Sequence, residues 1–313
     1  MKQELRKAAR RGLSQASEVM AQRKIARASR EKAIAKHAVR RAPAAMAIPP
    51  ARMRAAGSPR SVGVVVAEGD SWFDYPGTDI LSILEDDYGY EVESVAHKGD
   101  RVEQMAYGGG QLTEFARRLD KLLRRAIVPK AILLSGGGND IAGTEFGVML
   151  DHISSPNPGL NQRVVDGIID DRLRASYVTI ISAITKVSKD ITGRTIPIVL
   201  HGYDHPVADG RGFLGGWWFL PGPWLEPGFR DKGFNDLAKR NALMRDLINQ
   251  FNRMVEAVAL APEFSGHVKY LNLRNTLRTD SHYKKDWANE LHPTKDGYKL
   301  VTRKYAELLG RLP

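Results

Sequence analysis

Val62-Gly-Val-Val-Val-Ala67 runs directly into Glu68-Gly69-Asp70-Ser71-Trp72, and the reading of this junction decides the fold. The first run is short, apolar and β-branched, as expected for a strand buried on both faces of a parallel sheet. A Gly-Asp-Ser turn immediately after it sets a serine hydroxyl at the C-terminal end of that strand, the edge where open α/β sheets hold their ligands. In isolation the tripeptide is equally an ordinary turn or helix N-cap. Its position is what makes Ser71 a candidate nucleophile.

The alternation continues along the chain. Strands are expected at 62–67, 90–96, 131–135, 196–201 and 268–273, and helices near 78–88, 112–125, 174–189, 234–260 and 293–309. In the second of these helices Leu112, Phe115, Ala116, Leu119, Leu122 and Leu123 share one face. Strands separated by helices imply a three-layer α/β/α fold with a central, mainly parallel sheet of about five strands. Ser71, Gly99 and Asn139 each fall just after a predicted strand, so they meet on one edge of the sheet.

Composition narrows the classes. The 313 residues are enough for one large α/β domain with an appendage, and the 42% hydrophobic fraction is that of an ordinary globular chain. The absence of cysteine excludes disulfides, thiolate metal sites and cysteine nucleophiles. The net charge of +11 is unevenly placed: residues 1–60 carry 16 Lys/Arg against 3 Asp/Glu, and the remainder 31 against 33. A near-neutral main domain argues against nucleic acid as its substrate. Residues 1–60 read as a basic, weakly amphipathic helical arm to about His37, followed by a Pro/Ala-rich linker, with the main domain spanning 61–313. The arm is either a partly packed basic helix or a contact for an anionic surface or partner. Neither a secretory apolar core nor a membrane-spanning run is present, so a cytoplasmic location is expected.

Three further segments complete the pattern. Gly136-Gly137-Gly138-Asn139-Asp140 follows the third predicted strand, Gly99 follows the second, and His292-Pro293 lies near the C-terminus. With Gly69-Asp70-Ser71, these blocks resemble, in order, the SGNH or GDSL-type hydrolases, over roughly residues 62–310. The resemblance implies a flavodoxin-like SGNH fold and a carboxylic ester hydrolase working without a cofactor. It further implies Ser71 as nucleophile, His292 as general base, and an oxyanion hole from the backbone N–H groups of Ser71 and Gly99 and the Asn139 side chain. One departure stands out. The family's acid, three residues before the histidine, is replaced here by Asn289. An amide can hold the imidazole but cannot match a carboxylate in stabilising imidazolium; Asp286, Glu290 or a backbone carbonyl are the alternatives. The departure and the basic arm also leave room for a weakly active binding module, and hydrolysis is not separable by sequence from acyl transfer or deacetylation on a sugar or polymer.

Substrate contacts are expected from Trp72, Tyr203, Trp217 and Trp218, the last three in the Gly/Pro-rich segment 202–228, which also carries Trp224. Asp204-His205 is adjacent in sequence and lacks metal-ligand spacing, so no metal is expected.

Overall fold

The computed structural model describes residues 2–39, 61–215 and 221–313. Helix α1 (Lys2–Val39) precedes β1 (Gly63–Glu68), α2 (Ile80–Asp86), β2 (Tyr90–Ser94), α3 (Val102–Tyr107), α4 (Gln111–Arg124) and β3 (Ala131–Leu134). A helical turn, α5 (Gly138–Ile141), a short hairpin of β4 (Leu150–Asp151) and β5 (Gly159–Leu160), and α6 (Gln162–Asp166) lead through a π-helical stretch at Gly167–Leu173 into α7 (Arg174–Thr192). The chain then forms β6 (Ile198–His201), α8 (Glu226–Asp231), α9 (Leu237–Ala259), β7 (Val268–Leu271) and α10 (Lys295–Arg311).

The main sheet has five parallel strands in the order β2-β1-β3-β6-β7. Its central strands are buried from end to end at Val65–Ala67, Ala131–Leu134 and Ile198–His201, which explains why they read as unbroken apolar runs. Helices α2 and α10 pack together on one face, while α4, α7 and α9 cover the other. The architecture is the expected α/β/α sandwich. From β1 the chain steps to β2 on one side and then to β3 on the other, so the direction of winding reverses between β1 and β3. At such a switch point the two exit loops diverge and leave a crevice. Ser71 and Asn139 lie on those two loops.

Helix α1 lies across α7, with Ala8, Ala16 and Val19 buried. A Cβ at Gly12 would stand 2.1 Å from the Thr179 carbonyl oxygen, so only glycine allows this approach. The Thr179 hydroxyl donates to Ala8 O at 3.2 Å, and the Arg11 guanidinium sits 4.7 Å from the Tyr107 ring centre. The expected linker, residues 40–60, lies outside the described residues. Among the described residues no helix is long and apolar enough to cross a membrane.

Candidate active site

The turn after β1 is held by its own aspartate. Asp70 accepts from Trp72 N–H at 3.0 Å and from the Ser135 hydroxyl at 2.9 Å, and the Tyr203 hydroxyl also donates to it. Gly138 N–H in turn donates to that Tyr203 oxygen at 3.2 Å. One buried carboxylate therefore ties the exits of β1, β3 and β6 together. Asp79 then starts α2 through a reciprocal cap with Ser82, and Ile80 N–H bonds back to Trp72 O at 3.3 Å.

His292 arrives from the opposite end of the chain. Its loop closes through Ala288 N–H to His292 O at 2.9 Å, and Thr294 caps α10 immediately after it. Glu290 anchors this loop by accepting from the backbone N–H groups of Gly210, Trp224, Leu225 and Glu226 at 2.7–3.0 Å. The Trp72 indole N–H donates to Leu291 O at 3.1 Å, joining the serine and histidine loops directly.

The result is a hydrogen-bonded relay. Ser71 Oγ is 2.8 Å from His292 Nε2, and His292 Nδ1 is 3.0 Å from Asn289 Oδ1. The amide's orientation follows from its other bonds: Oδ1 also accepts from Leu291 and His292 N–H, at 3.0 and 2.9 Å, while Nδ2 donates to the Tyr75 hydroxyl at 3.2 Å. An amide oxygen only accepts, so Nδ1 carries the imidazole proton and Nε2 presents its lone pair to Ser71. The Tyr75 ring stacks on the imidazole at 4.4 Å and Trp224 meets it edge-on at 5.5 Å. His292 is only 6% exposed, and this burial lowers its pKa to about 3, holding the ring neutral.

Of the groups offered by sequence to orient the imidazole, Asn289 reaches it and Asp286 does not. Asp286 accepts instead from Arg278, at 2.8 Å from the backbone N–H and 2.9 Å from the guanidinium, because it faces the turn at 278. Glu290 is taken up by its four backbone donors.

Asn139 Nδ2 donates to Asp100 O at 2.9 Å, in the turn that carries Gly99. That turn is fastened beside β1 by His97 N–H to Gly69 O at 3.0 Å, and Gly99 is exposed with φ of +88°. The next residue, Asp140, accepts from Val102 and Glu103 N–H at the start of α3, and burial raises its pKa to about 6. Gly137 has φ of +100°, and a Cβ there would lie 2.4 Å from the Phe251 ring. Glycine is required at that position.

A cavity of about 40 Å³ opens beside these loops, with Asp70, Ser71, Trp72, Gly138, Asn139 and Tyr203 on its wall. Trp72 and Tyr203 are mostly structural there: both are buried, and the Tyr203 hydroxyl is committed to Asp70. Trp217 and Trp218 lie outside the described residues. Asp204 accepts from four backbone N–H groups, those of His205, Asn275, Thr276 and Leu277, and so serves as a brace for the loop after β7. Sequence reasoning missed Tyr75 and Trp224 as neighbours of the imidazole. No local pattern marks Tyr75, and Trp224 stands out in the sequence only as an aromatic of the Gly/Pro-rich segment 202–228; both reach His292 through the folded loops.

No protein-family profile and no curated protein sequence matches the chain. Among solved structures it is similar to Axe2, an acetylxylan esterase from Geobacillus stearothermophilus, at 15% identity over 80% of this chain and 95% of that one, with a TM-score of 0.41. It is also similar to a candidate GDSL-like lipase from Parabacteroides merdae (15% identity, 80% and 97% covered, TM-score 0.42) and to a candidate SGNH hydrolase from Slackia heliotrinireducens (11%, 78% and 97%, 0.41). Likenesses at this level leave the role of each residue to the geometry of the site itself.

Proposed function

We propose that the chain is a serine hydrolase that cleaves carboxylic esters through an acyl-enzyme on Ser71. The observation that carries this reading is the contact of Ser71 Oγ with an unprotonated His292 Nε2, with the tautomer set by Asn289 Oδ1. A serine hydroxyl is a weak nucleophile until a base removes its proton during attack. In the first step Ser71 Oγ bonds to the substrate carbonyl carbon and its proton passes to His292 Nε2. The carbonyl oxygen becomes an oxyanion, for which the N–H groups of Ser71 and Gly99 are the backbone donors. Asn139 adds a third: one N–H of its amide holds Asp100 O, which orients the group and leaves the second N–H for the oxyanion. The C–O bond to the alcohol then breaks and His292 returns the proton to the leaving oxygen. Water repeats the sequence on the acyl-enzyme and releases the acid. Each oxyanion donor is worth roughly 2.7–4 kcal/mol of transition-state stabilisation.

Asn289 favours a second reading, in which the same fold serves as a weakly active binding module, because among the described residues an amide and not a carboxylate meets His292 Nδ1. Ester hydrolysis by the full-length chain decides between the two. Turnover that falls by more than about 1000-fold in both Ser71→Ala and His292→Ala supports the hydrolase. Turnover that survives either substitution, or a wild type inert toward every ester, supports the module.

A further inference from the structure

The cavity beside Ser71 has a size and a lining that select the acyl half of a substrate. Besides the residues of the site itself, its wall includes Ile141, Ala142, Leu225, Met244, Ile248 and Leu291. All but Leu291 are buried. Asp204, which lines the cavity together with Asp70, has both oxygens taken by backbone N–H groups. Outside Asp204 and the residues of the site itself the wall is hydrocarbon except for the indole N–H of Trp287, which has no hydrogen-bond partner among the described residues, so the cavity suits a short alkyl chain and disfavours a charged acyl group.

The side of the ester that enters is fixed by the two groups that handle the reaction. The carbonyl carbon must sit on Ser71 Oγ with its oxygen toward Asn139, and both residues border the cavity. The departing alcohol must lie within reach of His292 Nε2 to receive its proton, and His292 is not on the cavity wall. The alcohol therefore leaves on the imidazole side and the acyl chain points inward. A water-sized group needs at least roughly 10–15 Å³ of such space. The cavity of about 40 Å³ thus holds about three of them.

Resting on the hydrolase reading above, we infer that the substrates are esters of short, unbranched acyl groups of about two to four carbons, with Met244 on α9 as the residue that closes the pocket. Met244 and Ile248 stand one helical turn apart on the buried side of α9, and both line the cavity from a helix rather than from a loop. Ala142, at the end of α5, lines the same cavity.

The test is kcat/KM for one chromogenic alcohol esterified with acetyl, butyryl, hexanoyl and octanoyl groups, measured on the full-length chain. The wild type is expected to prefer acetyl and butyryl over octanoyl by at least roughly 100-fold, since one methylene in an apolar pocket is worth about 10- to 200-fold. Met244→Ala removes the side chain beyond Cβ and should raise the hexanoyl-to-acetyl ratio by about tenfold or more. Ala142→Leu should lower the butyryl-to-acetyl ratio by a similar factor. Each ratio is taken within one preparation, so a loss of folded protein cancels. Equal use of acetyl and octanoyl esters by the wild type, or ratios unmoved by both substitutions, overturns the inference while leaving the Ser71 mechanism intact. Hydrolysis that persists in Ser71→Ala removes the mechanism and this inference together.

Discussion

Replacing Asn289 by Asp puts a full negative charge where an amide oxygen now accepts the Nδ1 proton at 3.0 Å. The new group loses nothing in hydrogen bonding. One carboxylate oxygen keeps the Leu291, His292 and imidazole donors, and the other takes the place of Nδ2 at 3.2 Å from the Tyr75 hydroxyl, which can donate. A unit charge about 4 Å from an imidazolium is worth about 4 kcal/mol at an effective dielectric near 20. Burial of the carboxylate takes back part of this, leaving an upward shift of about 1–3 units in the His292 pKa. In the wild type that pKa is lowered to about 3 by burial, with no carboxylate among the described residues against the ring to oppose it. The acid limb of kcat/KM should therefore lie far below the ordinary histidine value of 6.5 in the wild type. In Asn289→Asp it should move up into roughly pH 4–6. Each unit corresponds to about 1.4 kcal/mol of imidazolium stabilisation, so kcat/KM at pH 7 should rise by about tenfold or more. The assay is a pH-jump measurement of initial rates on an acetyl ester, fast enough to precede acid unfolding. A wild-type acid limb near pH 6.5, or identical limbs and rates in the two proteins, refutes the reasoning.

Tyr75→Phe keeps the ring over the imidazole and removes the acceptor for Asn289 Nδ2, a donor on a residue only 1% exposed. It should cost about 1–3 kcal/mol of stability in denaturant unfolding. It should also lower kcat about tenfold with little change in KM, because the relay loosens while the acyl cavity is untouched; a rise in KM at constant kcat contradicts this. Glu68, buried where β1 ends, has its pKa raised from 4.5 to about 9, chiefly by desolvation and then by Asp100. Its proton is held more tightly in the folded state, so this contribution to stability is full below pH 4.5 and is lost as pH rises toward 9. Glu68→Gln removes the titration and should flatten that decline, with denaturant midpoints measured at pH 5, 7 and 9; parallel wild-type and variant curves contradict it.

Much of the fold was legible because β1, β3 and β6 are covered on both faces, and coverage is what writes an unbroken apolar run into the sequence. The positions of Ser71 and Asn139 followed, since each occupies the loop after such a strand. Other parts depended on contacts that sequence spacing does not encode. Asn289 and Asp286 are both close to His292 in the chain, and only the turn that brings Arg278 to Asp286 separates their roles. Helix α1 reads as weakly amphipathic because most of its buried stripe, Ala8, Gly12 and Ala16 ahead of Val19, consists of small residues with little hydropathy. Those residues let α1 approach α7 closely. The six-residue α3 and the π-helical stretch before α7 are set by Asp140 capping and by tertiary packing, and neither has a strong local period.

The account stands on Ser71 being activated by His292, and peptide mapping of a fluorophosphonate adduct tests that most directly. Full-length protein should carry a single adduct on the peptide containing Ser71, formed more slowly in His292→Ala and absent in Ser71→Ala. An adduct on another residue, or no adduct on a folded protein at neutral pH, contradicts it.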